Sequence, residues 1–441
     1  MRMDLLLVLG LVLLAACDQK PAASTPPPPR PEGSAMSGPP ASAPGLAAPD
    51  APKGETTYYL GVKETHTHIT FQSKNDLTDI LGASHVVVGS ATIDFAAGTG
   101  KCDLSVPAAT LNSGMADRDR AMMGPQWLNA KQYPTIEFKS EKAALTDKPS
   151  GWTVDGKFTL RGVTKDLSVP VEVRPFPTSL GQKLGFGDGP CIKVKTSFKV
   201  KLADYGIEIP STAVATVQPE ISVTIDLWGS TVKPAAYVAK APGGDEAPIK
   251  VAPKPKVSEE GIEGTKYVFG KKPQLAQMTA LSETDVETIT TNTKVIAGVL
   301  GFDKEKGTGM VRLAAPVDQL RTGIELRDEH LRSAGWLDAA QFKTIEFEST
   351  KATKKDDKNW TVEGNFTMHG VKKPITVDVV LREIPLELIQ KAHWGETPGL
   401  GFTTKFKLKL SDFGVKIPEV AAAKVNNELS ISIDLVALQK E

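Results

Sequence analysis

The 441-residue chain is poor in the residue types from which most active centres are built. It has three cysteines and six histidines, and aromatic residues make up 6 % of it. Lysine plus arginine equals aspartate plus glutamate at 52 each, and no basic cluster stands out, so the electrostatic footprint that nucleic acid requires is missing. There is no Gly-x-Ser-x-Gly elbow, no Gly-x-x-x-x-Gly-Lys phosphate loop and no His-Glu-x-x-His helix. These absences lead us to expect no catalytic residues, no metal and no nucleic-acid partner. Long apolar runs are also scarce. The one near the start, Leu5 to Leu14, falls short of the roughly 20 residues that a spanning helix needs, but it suits the core of a signal peptide.

That run ends in Leu14-Ala15-Ala16-Cys17, small residues directly before a cysteine, which resembles the bacterial lipobox. Residues 1–16 then read as a lipoprotein signal peptide, and Cys17 as the lipidated N-terminus of the mature chain. An ordinary secretory signal with an incidental cysteine is the alternative. Either way the expectation is an exported protein, periplasm-facing and held on a membrane by acyl chains, each buried methylene contributing about 0.8 kcal/mol. Asp18 after the cysteine resembles the enterobacterial signal for inner-membrane retention, a rule that is not general, so the choice of inner or outer membrane stays open. Residues 17–53 are rich in Pro, Ala and Ser, bury too little to order themselves, and read as an extended tether.

What the chain does have is a pattern written twice. Asn112-Ser113-Gly114, Arg118-Asp119, Trp127-Leu128 and Ile136-Glu137-Phe138 recur 209 residues later as Arg321-Thr322-Gly323, Arg327-Asp328, Trp336-Leu337 and Ile345-Glu346-Phe347. After a one-residue slip, Asp204-Tyr205-Gly206 matches Asp412-Phe413-Gly414. So long a period marks duplicated domains rather than a solenoid. The boundaries that follow are 54–230 and 265–441, separated by a Pro-rich linker at 231–264.

Within each copy the dominant period is two. Ile221, Val223, Ile225 and Leu227 alternate with Ser222, Thr224 and Asp226, and Phe406, Leu408 and Leu410 alternate with lysines, which puts one strand face in a core and the other in water. Further strands are expected at 85–95, 101–111, 135–143, 152–160, 168–174 and 193–202. Asp117 to Lys131 and Glu325 to Gln341 break the alternation and read as a short helical insertion across one end of a barrel. Many short, evenly spaced antiparallel strands predict an all-β fold, a sandwich or closed barrel. The Arg-Asp pairs read as structural, held by neighbours or backbone at a strand-to-helix corner, and Asp204-Tyr205-Gly206 and its counterpart as turns carrying an aromatic plug. His66-x-His68 is the best local metal candidate, yet the other copy has no histidine there, and a surface pair on a strand is the expected reading.

Thr322-Gly323, Arg327 to Ser333, Trp336-Leu337-Asp338, Ile345-Glu346-Phe347, the stretch Gly364 to Pro374 and Ser411-Asp412-Phe413-Gly414, in that order and spacing, resemble the YceI-like family of exported lipid-binding proteins. The first copy follows less faithfully, with Arg120-Ala121 where the second has Glu329-His330. The resemblance implies two tandem extended antiparallel β-barrels, lipocalin-like, each holding an amphiphile such as a polyisoprenoid or isoprenoid quinone, with no resident cofactor. Candidate channel walls are Phe71, Val88, Phe138, Phe158 and Phe198, and in the second copy Phe347, Phe366, Phe406 and Phe413. Period alone does not separate channel lining from packed core. A pair of filled barrels serving as an envelope scaffold or stress-protective interaction protein is therefore the alternative function. Cys102 and Cys191 are a possible disulfide in an oxidising compartment or, equally, two buried thiols. Val311 stands at the position of Cys102 in the second copy, so the fold itself does not require a cysteine there.

Overall fold

The computed structural model describes residues 52–75, 77–148, 150–234 and 254–441. Cys17, most of the tether and the middle of the linker lie outside the described residues. The first copy contains β1 (Thr56–Leu60), β2 (Thr67–Lys74), β3 (Asp79–Ser84), β4 (Val88–Asp94), β5 (Thr99–Pro107), α1 (Ala116–Met123), β6 (Thr135–Leu145), β7 (Gly151–Leu160), β8 (Val163–Phe176), α2 (Thr178–Leu184), β9 (Cys191–Lys201) and β10 (Glu220–Ser230). The second repeats it as β11 (Thr265–Phe269), β12 (Ala276–Glu283), β13 (Thr288–Thr293), β14 (Ala297–Asp303), β15 (Thr308–Pro316), α3 (Glu325–Arg332), β16 (Thr344–Lys354), β17 (Asn359–Met368), β18 (Val371–Ile384), α4 (Leu386–Lys391), β19 (Gly399–Lys409) and β20 (Glu428–Gln439).

In each copy eight antiparallel strands close into a ring. The order is β1-β4-β5-β6-β7-β8-β9-β10, and β10 returns to β1 through Tyr59 opposite Ser230. The same order closes β11 onto β20. The fold is therefore two lipocalin-like β-barrels in tandem, and the size of the ring explains why: eight strands leave an interior wide enough for side chains or for one elongated ligand. A hairpin, β2–β3 or β12–β13, extends the sheet from the last strand at its other half.

The separation of β1 from β2 traces to one glycine in each copy. Gly61 and Gly270 have φ of +73° and +75°, and a Cβ there would lie 2.1 and 2.0 Å from the carbonyl oxygens of Val87 and Ile296. Only glycine accommodates both the left-handed backbone and that approach. The chain thus turns after β1 and re-enters the sheet as β2.

The alternating strands fall where the period placed them. The helical insertions are shorter than expected, because Gly124-Pro125 ends α1 and Ser333 to Gly335 ends α3, leaving turns up to Lys131 and Gln341. Two further short helices, α2 and α4, between the eighth and ninth strands of each copy had no periodic signal. One reading of the alternation is corrected: Asp226 is not in water but only 7 % exposed. The outer faces of β8, β9 and β10 lie beneath the turn between β12 and β13, where Thr288 donates to Asp226 over 2.6 Å and Trp228 Nε1 donates to the carbonyl of Val286 over 2.7 Å.

Candidate functional site: two apolar barrel interiors

Each ring encloses a cavity, of about 140 Å³ in the first barrel and about 120 Å³ in the second. The walls are built by the inward members of the alternating strands. In the first barrel these include Ile69, Val87, Ile93, Leu104, Val154, Val169, Val194, Ile225 and Leu227, and in the second Leu300, Leu313, Val362, Val377, Leu381, Ile433 and Leu435. Polar lining is sparse: Lys101, Glu137, Cys102 and Thr196 in one, Ser349 and Thr404 in the other. Such surfaces suit a dry apolar chain with few points of polar contact.

Of the residues singled out from sequence, Phe138, Phe158 and Phe198 line the first cavity, and Phe347, Phe366 and Phe406 the second. Three do not. Val88 is 49 % exposed: in the unpatterned run Val86-Val87-Val88 the turn after β3 sets the parity, so Val87 points inward and Val88 outward. Phe71 lies across Gly82 of β3, a position where any Cβ would meet its ring at 2.1 Å, and it is not part of the wall. Phe413 is a plug rather than lining. It is 3 % exposed with its ring 5.5 Å from Phe366, as Tyr205 is 5.6 Å from Phe158, and both sit on short helical turns closed by a left-handed glycine. Wall residues that sequence did not single out include Leu60, Trp152, Phe269 and Trp360, at strand ends where the alternation is too short to read.

The Arg-Asp motifs tie down the loop that precedes each helix. Asp119 accepts from the backbone N–H and hydroxyl of Ser113 at 2.8 and 2.5 Å, and Asp328 from those of Thr322 at 2.6 Å each. Arg118 donates to the hydroxyl and carbonyl of Ser113, whereas Arg327 pairs with Glu287 at 2.9 Å. These groups hold the corner before each helix, and none lines a cavity.

Trp152 and Trp360 occupy equivalent wall positions, and each indole N–H is buried without a hydrogen-bond acceptor. Each ring instead meets a phenylalanine edge to face, Phe95 at 5.9 Å and Phe302 at 5.7 Å. The Cys102 thiol faces the first cavity and is pushed up to about 11, chiefly by burial and then by Asp103. Cys191 is fully buried on the outer side of β9. Both cysteines are free: β5 and β9 are separated by other strands whichever way round the ring is taken, and the two thiols lie on opposite faces of the wall. The expected alternative of a disulfide is thereby corrected.

His66 and His68 are likewise not a surface pair. They are 5 % and 8 % exposed, and His68 is hydrogen-bonded to Thr290 of the second barrel at 3.0 Å. Burial, then His85 and Arg327 nearby, lowers His68 to about 3; burial, then Lys424, Lys63, Arg327 and Lys193, lowers His66 to about 3. No cluster of His, Cys, Asp and Glu suited to a metal occurs among the described residues.

Comparison with known proteins places this geometry. Residues 61–228 and 272–437 each match the description of a YceI-like domain. A UPF0312 protein of Serratia proteamaculans (strain 568) is 34 % identical over 140 residues, covering 31 % of this chain and 68 % of that protein. The protein YceI of Escherichia coli O17:K52:H18 (strain UMN026 / ExPEC) is 31 % identical over the same length and the same shares. Among solved structures, BcnA of Burkholderia cenocepacia shares 19 % identity at a TM-score of 0.33, over 37 % of this chain and 98 % of that one. A polyisoprenoid binding domain from Saccharophagus degradans, implicated in plant cell wall breakdown, shares 14 % at 0.30, over 40 % and 98 %. With both closed rings matched along nearly their whole length, this chain belongs to the YceI-like family and carries its domain twice in tandem.

Proposed function

We propose that this protein binds and shields a long-chain isoprenoid or a similar amphiphilic lipid, an isoprenoid quinone among the candidates, in the bacterial cell envelope. The observation that carries this reading is the pair of almost wholly apolar interiors that the side chains leave unfilled. Interiors of folded proteins are otherwise close-packed, with few voids larger than a water molecule. Every methylene that a lipid withdraws from water into such a space contributes about 0.8 kcal/mol, so affinity comes from length and dryness and needs no catalytic group. The function is binding rather than chemistry. The lipobox-like residues before Cys17 support a tether that keeps the barrels beside the membrane from which the lipid comes, the protein facing the periplasm.

The test is native mass spectrometry, with solvent extraction and lipid analysis, on the full chain purified from a bacterial envelope. Up to two equivalents of an amphiphilic lipid are expected. Ala143→Phe and Ala352→Phe, which fill one interior each from small wall residues, should each remove about one equivalent. A chain that carries no lipid and takes up none of a panel of added isoprenoids would leave the filled-barrel scaffold as the reading.

A further inference from the structure

The two barrels touch through the same surface used twice. The turn between β2 and β3 carries Leu77 into a cluster of the second barrel formed by Leu275, Ile384, Ile389, Trp394, Val436 and Leu438. Its counterpart 209 residues on, Val286, sits in the first barrel among Phe176, Leu184, Phe186, Cys191 and Trp228. His85 of the first barrel approaches Gly323, with its Nε2 3.1 Å from the carbonyl of Thr322, and its counterpart Lys294 packs against Gly114, the counterpart of Gly323. Residue i meeting j while j's equivalent meets i's equivalent is the signature of an isologous, two-fold contact. Here it is made within one chain.

The two halves of this contact are not interchangeable in size. On the first barrel the floor of the pocket is the large Trp228 and the side chain entering it is the small Val286; on the second the floor is the small Val436, in the same register as Trp228, and the side chain entering is the larger Leu77. We propose that these exchanged volumes make the face specific for the other barrel of the pair, so that the chain saturates its own dimer surface and rejects a second copy of either barrel there. Pairing the first barrel with itself would press Leu77 onto Trp228 and would set His68 against Leu81, the counterpart of Thr290, which offers no hydroxyl. Pairing the second with itself would set Val286 over Val436, leaving a hole, and would lose the bond from Trp228 Nε1 to the carbonyl of Val286. One mispairing is overpacked and the other underpacked, and both are costly.

The test uses the full chain with a protease site inserted between Pro234 and Lys254. After cleavage, unfolding and refolding, native mass spectrometry should show the mixed pair exceeding the two self-pairs by tenfold or more over the random 1:2:1 distribution; a random distribution, or halves that stay apart, would overturn the proposal. The intact chain gives an independent reading. Val286→Leu and Trp228→Val should each lower the thermal midpoint, and the double variant, which copies the pairing of the other half, should melt clearly above the sum of the two losses. Strict additivity of the two losses would equally overturn it.

Discussion

The two interiors differ most at four wall positions, where Leu60, Ala91, Ile93 and Val194 of the first barrel correspond to Phe269, Leu300, Phe302 and Phe402 of the second, and three of the four bring in an aromatic ring. The second barrel stacks two of these rings on each other at 5.4 Å and the third on Trp360. The first recovers part of that bulk from Phe95, whose counterpart is Lys304 and whose ring meets Trp152 at 5.9 Å. Despite this exchange the two cavities are of similar volume, about 140 and about 120 Å³. Two sequences that fill the wall differently yet leave similar voids show that the void belongs to the eight-strand ring. A large apolar void lowers stability through lost packing. Under the function proposed above, the bound lipid restores those contacts in both halves.

The outer faces differ more sharply, and there the largest effect is expected. Asp226 lies 3.4 Å from Lys193, whose side chain is 1 % exposed, and 3.2 Å from Lys195. Asp434 occupies the equivalent site but pairs with Arg382, which is 17 % exposed and also donates to Thr403. Burial lowers Lys193 to about 8, so it is still charged at neutral pH. Asp226→Ala would strand that charge with only the Asp285 carbonyl and the Trp228 ring, at a cost of about 3 kcal/mol. Asp434→Ala should cost roughly half as much, since the guanidinium keeps a partner and reaches water. Equal losses in denaturant titration would show that the two interface halves are energetically the same.

Acid should separate the halves next. His66 and His68 correspond to Leu275 and Gln277, so only the first barrel brings these titratable rings to the contact. With folded values near 3 against an ordinary 6.5, they bind protons more weakly in the folded than in the unfolded chain. Their stabilisation is therefore complete above about pH 6.5 and falls as pH drops from there towards 3, by about 1.4 kcal/mol per pH unit for each ring. His85 adds to this, because burial lowers it as well, although its two nitrogens face the carbonyls of Thr67 and Thr322 and those contacts offset part of the burial. Glu287, pushed up by burial beside Arg327, opposes it. The difference between the wild type and the double variant His66→Leu, His68→Gln isolates the pair. The variant should lose several kcal/mol less between pH 7 and pH 4, and parallel curves would mean that the two rings are protonated or solvated in the folded protein.

The duplicated pattern, the ring of alternating strands and six of the nine named aromatic or aliphatic wall residues were legible because they obey period two within long strands. Val88 was misread because three consecutive valines carry no parity, and Phe71 because nothing in its own strand announces that Gly82 waits opposite. Asp226, His66 and His68 look like solvent-facing residues in any single-barrel reading. Asp226 and His68 are covered by another domain, and that information sits about 60 to 220 residues away in Thr288 and Thr290, whereas His66 meets Phe186 of its own barrel. Local alternation determines which face of a strand is inward, but it says nothing of whether the outward face meets water.

The cysteines give the smallest expected effect and sharpen the same contrast between inner and outer faces. Cys102, on the cavity side, has Val311 as its counterpart, so Cys102→Val exchanges one small apolar side chain for another of the sister barrel and should shift stability by less than about 1 kcal/mol. Cys191, on the covered outer side, is fully buried, and burial pushes its thiol up to about 12. With both thiols protonated at pH 8, a maleimide or iodoacetamide should leave Cys102 and Cys191 unmodified in the native chain and label both once it is unfolded, while a reductant leaves the melting curve unchanged. Fast native labelling of Cys102 alone would show that the first cavity admits water and reagent. Fast labelling of Cys191 alone would show that the Val286 turn lifts off the first barrel, which the interlocked contact does not allow while the chain is folded.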